Sequence, residues 1–222
     1  MPNPSNMRTG GQILVDQLKI HGVDTAFCVP GESYLAALDA LHDAPEIRLL
    51  TCRHEANAAN MAEAYGKLTG QPGICFVTRG PGACHAVVGL HTAFQDSSPM
   101  VLFVGQVGRS MMEREAFQEM DFRRFFGQVS KWSAEIHDPA RIPELVSQAF
   151  HVATSGRPGP VVLSLPEDML VELAGVGDAK AYRGVQAHPG LADLAADRRT
   201  MAVGYAVGMF IVVPLVGVLL LR

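Results

Sequence analysis

The chain of 222 residues is short of cysteine, tryptophan and charge, and it carries no excess of cationic side chains. Lysine and arginine number 18 against 22 aspartates and glutamates, for a formal net charge of −4. A chain with no basic excess cannot neutralise a phosphate backbone, which excludes a general nucleic-acid binder. The four cysteines, Cys28, Cys52, Cys75 and Cys84, form no C-x-x-C pair, and their spacings match no zinc-ligand pattern. Three of them fall in apolar, strand-like runs, so they read as reduced thiols of a cytosolic protein. There is no Gly-x-Gly-x-x-Gly, no P-loop lysine and no Gly-x-Ser-x-Gly. Neither a nucleotide fingerprint nor a hydrolase elbow therefore has support. The eight histidines show no metal-ligand spacing, and no metal site is expected. Residues 1–6 have no cationic stretch leading into an apolar run, so no secretory signal is read there, and 1–8 are expected to be disordered.

What is present is apolar. Hydrophobic residues make up 48% of the chain and charged ones 18%, which excludes an intrinsically disordered chain. Short apolar runs alternate with helical patterns. Strands are expected at 26–29, 47–52, 74–78, 100–104 and 161–165. Helices are expected over 13–21, 33–42, 56–69, 83–95 and 141–154. Nearly continuous apolar strands separated by helices predict an α/β fold with a parallel sheet covered by helices on both faces. Residues 106–128 break the alternation and are rich in charge, Met and Phe; so long a loop is usually functional or contacts a partner. Residues 173–200 read as a linker. Residues 201–221 hold no charge, are flanked by Arg198, Arg199 and Arg222, and include Gly204 and Gly208 in a small-x-x-x-small pattern. This run reads as a C-terminal apolar helix able to anchor a cytoplasmic domain to the inner or cytoplasmic membrane, with a truncated or frame-shifted end as the other reading.

In a parallel sheet, ligands bind beyond the carboxyl ends of the strands. Pro30 and Gly31 follow the first strand, Arg53-His54-Glu55 the second, Thr78 through Gly82 the third, and Gly105-Gln106 the fourth. Glu55 stands out. It opens a helix whose next turns are Ala56, Ala58, Ala59, Met61 and Ala62, with few polar groups to solvate a carboxylate. Such a carboxyl group can be held protonated or share a proton with a ligand nitrogen. The other reading is a plain carboxylate favoured by the helix dipole. The Gly80-Pro81-Gly82 turn can cradle an anion at a helix N-terminus.

Six ordered blocks carry a resemblance: CVPGES (28–33), RHEANAANMAEAYGKLTGQPG (53–73), VTRGPGACHAVVGLHTAFQDSSPMVLFVGQV (77–107), EAFQEMD (115–121), SKW (130–132) and RPGPVVLSLPEDM (157–169). Over residues 9–172 the chain resembles the N-terminal pyrimidine-binding domain of thiamine diphosphate-dependent enzymes, in the acetolactate synthase-like branch. The resemblance implies that Glu55 hydrogen-bonds a nitrogen of the cofactor's aminopyrimidine and favours the tautomer that takes the thiazolium C2 proton. It places Val29, Pro30, Gly31, Thr78, Gly80, Pro81, Gly82, His85 and Gln106 along the cofactor or its approach, and Phe117, Gln118 and Lys131 near a small-molecule 2-oxo acid. The implied activity is 2-oxo acid decarboxylation and carboligation.

The chain also departs from that pattern. His85 stands where close acetolactate synthases carry Asn, Glu32 where they carry Gly, and Arg79 replaces a small residue, which leaves the substrate open. No Gly-Asp-Gly followed by Asn is found, so Mg²⁺ and the diphosphate are expected only from a partner diphosphate-binding domain or subunit in a homo- or hetero-oligomer. The chain is accordingly expected to be incomplete alone, as a truncated product or one half of a split enzyme. The rival reading is a membrane-tethered, non-catalytic binding or regulatory module.

Overall fold

A computed structural model of the protein describes residues 7–181. Six strands form one parallel sheet: β2 (Thr25–Cys28), β3 (Arg48–Thr51), β4 (Gly73–Val77), β5 (Met100–Gln106), β6 (Trp132–Glu135) and β7 (Pro160–Pro166). They lie in the order β3-β2-β4-β5-β7-β6. A separate two-residue ladder pairs β1 (Arg8–Thr9) antiparallel with β8 (Leu173–Ala174). The helices are α1 (Gly10–Ile20), α2 (Leu35–His42), α3 (Glu55–Thr69), α4 (Pro81–Asp96), α5 (Phe122–Phe126), α6 (Ile142–Thr154) and α7 (Glu167–Val171).

Every residue of β4, β5 and β7 is buried, which is why these strands read as unbroken apolar runs. Their side chains alternate between two cores. Ile74, Phe76, Val101, Phe103, Val161 and Leu163 pack with Ile13, Leu14 and Leu18 of α1 and Val146 and Phe150 of α6. Cys75, Val77, Leu102, Val104 and Val162 face the alanines of α3 and α4 instead. Both faces are thus covered, as the alternation of strands and helices predicts.

Local chemistry sets the helix ends. Thr9 and Gln12 exchange hydrogen bonds across the first turn of α1, Thr9 Oγ1 accepting from Gln12 N at 3.2 Å and Gln12 Oε1 from Thr9 N at 3.0 Å. α3 ends at Gly70 in the left-handed region (φ 73°). Pro81 opens α4, where its missing N–H costs nothing.

The connections define where a ligand can sit. α2 leads from β2 to β3 on one face, whereas α3 leads from β3 back across β2 to β4 on the other. Since α4 then carries the chain from β4 on to β5, the connections from β2 and β4 run to opposite sides, and the strand order reverses between these two strands at the carboxyl edge of the sheet.

Four differences from the sequence reading have physical reasons. The edge strand β6 is only four residues long and half-buried throughout, so it lacks an apolar run to announce it. The break at 106–128 contains a 3₁₀ turn at Arg109–Met111 and the helix α5. Its intervening stretch is tied by the Glu119 carboxylate, which accepts N–H bonds from Glu113, from Arg114 (3.4 Å) and from Ala116 (3.0 Å). The stretch from 173, read as a linker, begins as β8. Its Asp178 accepts from Arg8 (2.7 Å) and Gln17 (2.9 Å), and Ala179 N donates to Gln17 Oε1 at 3.2 Å. Arg8, assigned with 1–8 to a disordered N-terminus, is paired in β1. The apolar run at 201–221 lies outside the described residues; among the described residues no helix is long and apolar enough to cross a membrane.

Candidate active site

Glu55 is the first residue of α3, directly beyond β3, and its side chain is 13% exposed. Its Oε2 lies 3.0 Å from Nδ1 of His85, in the second turn of α4. Its Oε1 faces Gly82, standing 3.4 Å from where a Cβ on that residue would be. The same Cβ would also meet Thr78 Cγ2 at 2.8 Å, so the glycine lets Thr78 pack directly beside the carboxylate. α3 and α4 come close enough for this because Gly89 lies directly on the backbone of Ala59, where a Cβ would be 2.5 Å from the Ala59 carbonyl carbon.

The loops from β2 and β4 meet at the crevice. Thr78 Oγ1 bonds Ser33 Oγ at 2.8 Å, and a Cβ on Gly31 would strike Thr78 Cβ at 2.5 Å. The Val29 carbonyl accepts from the buried Tyr34 hydroxyl at 2.5 Å, which pins the β2 loop from below. Burial raises the Tyr34 pKa far above its ordinary value, which favours the protonated phenol that donates here. Gly80 adopts φ 55° and packs on Gln118, itself at φ 63°. That contact brings the 106–128 segment onto the rim. The neighbouring Arg79 pairs with Glu167 at 2.8 Å.

The structure therefore gathers Gly31, Glu55, Thr78, Gly80, Gly82, His85 and Gln118 at one end of the sheet. Val29, Pro30 and Pro81 flank them in the same turns. Phe117, adjoining Gln118, is 76% exposed. Gln106 lies at the same edge but is buried and committed. Its Nε2 donates to the Met120 carbonyl (2.8 Å) and to Glu135 (3.3 Å), and its Oε1 accepts from Val107 N (3.0 Å). These bonds tie the 106–128 segment to the end of β5.

Lys131 is not at this rim. It precedes β6, and its backbone N bonds Pro160 O at the start of β7, so it occupies the amino edge of the sheet. Its ammonium donates to the carbonyls of Val152 and Ser155 after α6, the latter at 2.7 Å, and burial lowers its pKa. The resemblance puts Lys131 near a 2-oxo acid, and within this chain it does not lie beside Glu55.

Three polar groups that bear on this edge carry no role in the sequence reading. Ser33 holds Thr78. Glu135 accepts from Gln106 and, at 2.9 Å, from Ser164, and lies 3.2 Å from His137; its signal was hidden with β6. His54 is the third. Its Nδ1 accepts from Ala56 N at 3.2 Å, capping α3, and its ring stacks on that of His85 with centroids 4.7 Å apart. His54, Glu55 and His85 each bring a nitrogen or carboxylate oxygen within 4.8 Å of the others. Sequence spacing cannot reveal this group, because His85 comes from the next helix.

The topological switch of the parallel sheet thus carries a largely buried carboxylate beside bare glycine backbone and Thr78, the place where such sheets take ligands. Comparison with known proteins gives the class. Residues 8–125 match the family model described as "Thiamine pyrophosphate enzyme, N-terminal TPP binding domain". The chain belongs to this family. It is 40% identical over 161 residues to the mitochondrial acetolactate synthase catalytic subunit of Saccharomyces cerevisiae, covering 72% of this chain and 23% of that protein. The acetolactate synthase large subunit of Lactococcus lactis is 40% identical over 161 residues, covering 72% and 28%. The chloroplastic acetolactate synthase of Arabidopsis thaliana is 40% identical over 171 residues, covering 77% and 26%. The chain thus spans about a quarter of the length of the curated relatives it matches. The names of those relatives lend no support to a membrane-tethered regulatory module.

Proposed function

We propose that this chain is the pyrimidine-binding part of an acetolactate synthase-like enzyme that decarboxylates and joins 2-oxo acids. The observation carrying the reading is the placement of Glu55: a largely buried carboxylate at the mouth of the β2–β4 crevice, one oxygen facing the open Cα of Gly82. The bare glycines Gly31 and Gly82 let Thr78 pack directly against both turns, leaving the Glu55 carboxylate edged by backbone on which a flat heterocycle can lie. Thiamine diphosphate, when bound, supplies the electron sink that lets a 2-oxo acid lose carbon dioxide.

The chain's own residues do the rest. Glu55 accepts or shares the proton of a ring nitrogen, and its partly desolvated site strengthens that hydrogen bond. His85 holds the second carboxylate oxygen and so orients the first toward the slot. Val29 and Pro30 wall the β2 side, and Gly80 and Pro81 turn the chain so that α4 starts at the rim. Gln118, carried there by its contact with Gly80, and Phe117 border the approach of the 2-oxo acid. Mg²⁺ and the diphosphate fall to a partner diphosphate-binding domain or subunit, consistent with the quarter-length match.

The test mixes the 222-residue chain with a protein supplying a diphosphate-binding domain, thiamine diphosphate and Mg²⁺. Pyruvate loss and exchange of the cofactor's C2 proton are then followed. Glu55→Gln is expected to abolish both while circular dichroism and the melting transition stay unchanged. Exchange at the wild-type rate in that variant overturns the role given to Glu55.

A further inference from the structure

A second concavity lies away from Glu55, between the edge strand β6 and the short helix α5. It encloses about 610 Å³ and is lined by Arg123 and Arg124 of α5, Lys131 just before β6, and Trp132 and Ser133 of β6. That volume is within the range of roughly 300–1,000 Å³ usual for small-molecule sites. It shares no lining residue with the Glu55 site, and Lys131 marks its place at the amino edge of the sheet. We propose that this depression binds a small phosphate ester carrying a flat ring, of the nucleoside diphosphate class.

The charge of the lining calls for an anion. Arg8, Arg79, Arg109 and Arg141 each pair with a carboxylate. Among the described residues, no carboxylate pairs with Arg123, Arg124 or Lys131. The Lys131 ammonium donates to the carbonyls of Val152 and Ser155, which hold it in place without neutralising it and leave one of its three N–H donors over. Its pKa is lowered by burial, as befits a cation with no anion beside it. The one acid in the lining is Asp121, and its Oδ1 accepts from Arg124 N at 3.0 Å to cap α5. Three like charges around one depression repel one another, and a bound anion removes that cost.

The uncharged lining selects within the anions. The hydroxyls of Ser130 and Ser133 are spent on the Phe126 and Phe122 carbonyls, at 2.9 and 3.2 Å, so the cations are left as donors. Two guanidinium forks match phosphate oxygens in geometry as well as charge. Trp132 is half-buried: part of it packs on the core beneath α1 and α6, and it also lines the depression, where a flat ring can stack on it. A phosphate joined to a heterocycle uses both features. A long nucleic acid does not suit the site, because beyond three cations it meets a chain of net charge −4.

Trp132 is the chain's one tryptophan, so its emission reports on this depression alone. The full 222-residue chain, in metal-free buffer of low ionic strength, is titrated with ADP, adenosine and inorganic pyrophosphate. Excitation is at the red edge of the indole band, where adenine does not absorb, and calorimetry gives the stoichiometry. Expected is a saturable change with ADP at one site per chain, weakening as salt rises, and at least about tenfold tighter than adenosine or pyrophosphate. Arg123→Gln and Arg124→Gln, both at exposed positions, each weaken ADP by about tenfold with the melting transition unchanged. Arg141→Gln, at an exposed arginine paired with Glu144, binds as the parent does. The absence of saturable ADP binding overturns the proposal. So does adenosine or pyrophosphate binding within about tenfold of ADP, or an affinity within about threefold of the parent in both Arg123→Gln and Arg124→Gln. None of these outcomes depends on the role given to Glu55.

Discussion

The two faces of the sheet are built from different stock. On the face of α1, α2 and α6 the core holds Ile13, Leu14, Leu18, Leu41, Ile142, Val146 and Phe150, large side chains that fill space. On the face of α3 and α4 the helices contribute Ala58, Ala59, Ala62, Ala83, Ala86 and Ala93, with Gly89 at the crossing. Large side chains hold helices well apart and bury much apolar area. Small ones let two helix backbones nearly touch, which brings Glu55 at the head of one helix within hydrogen-bond reach of His85 on the other. One face stabilises the fold. The other gives up burial for proximity at the site.

This division can be broken at four points, in falling order of effect. Phe150→Ala on the large-residue face should cost about 3–5 kcal/mol in urea unfolding, with the Glu55–His85 geometry unchanged by NMR of the His85 ring. Gly89→Val places a branched side chain against the Ala59 backbone and should cost about 1–3 kcal/mol. That variant should also displace the His85 resonances, because α3 and α4 are forced apart. If the two substitutions disturbed His85 equally, the contrast between faces would be wrong. Thr9→Ala removes half of the α1 capping pair and should cost about 1 kcal/mol, again without effect at the site.

The smallest effect is a pH dependence on the large-residue face. His21 packs on Phe150 with ring centroids 4.4 Å apart, bonds the Gln17 carbonyl through Nδ1 at 2.8 Å and leaves Nε2 buried without a partner. Desolvation therefore lowers its pKa below 6.5, the Gln17 bond offsetting only part. The unfolded chain takes up the proton first as pH falls. Stability should be level above about pH 6.5 and decline below it until the folded-state value is passed. Melting curves across that window should show the slope in the parent and a weaker one in His21→Phe.

The sequence disclosed those parts of the molecule that repeat a rule. Apolar runs such as 100–104 mark buried parallel strands, and the strand–turn–helix rhythm alone puts Glu55, Thr78 and Gly82 at one edge. What stayed hidden depends on distance in space. β6 is half-buried at the sheet's edge and lacks the apolar pattern, so nothing in the sequence marks Lys131 as preceding a strand or Glu135 as closing it. Gln106 sits at the right edge, but only geometry shows both ends of its amide already spent on Met120, Glu135 and Val107. The meeting of His54 with His85 depends on how tightly two helices cross, and no spacing along one chain encodes that.

The short β1–β8 ladder has a consequence for how such a module is attached to anything larger. Arg8 and Ala174 are register partners, and Arg8 reaches on to Val176 and Asp178. The path into the fold and the path out of it therefore share one doorway on its surface. Residues 8 and 174 could be stitched together by a few glycines and the chain reopened at an exposed turn elsewhere, such as Gly156. The circularly permuted protein should keep the crevice and its carboxylate in place.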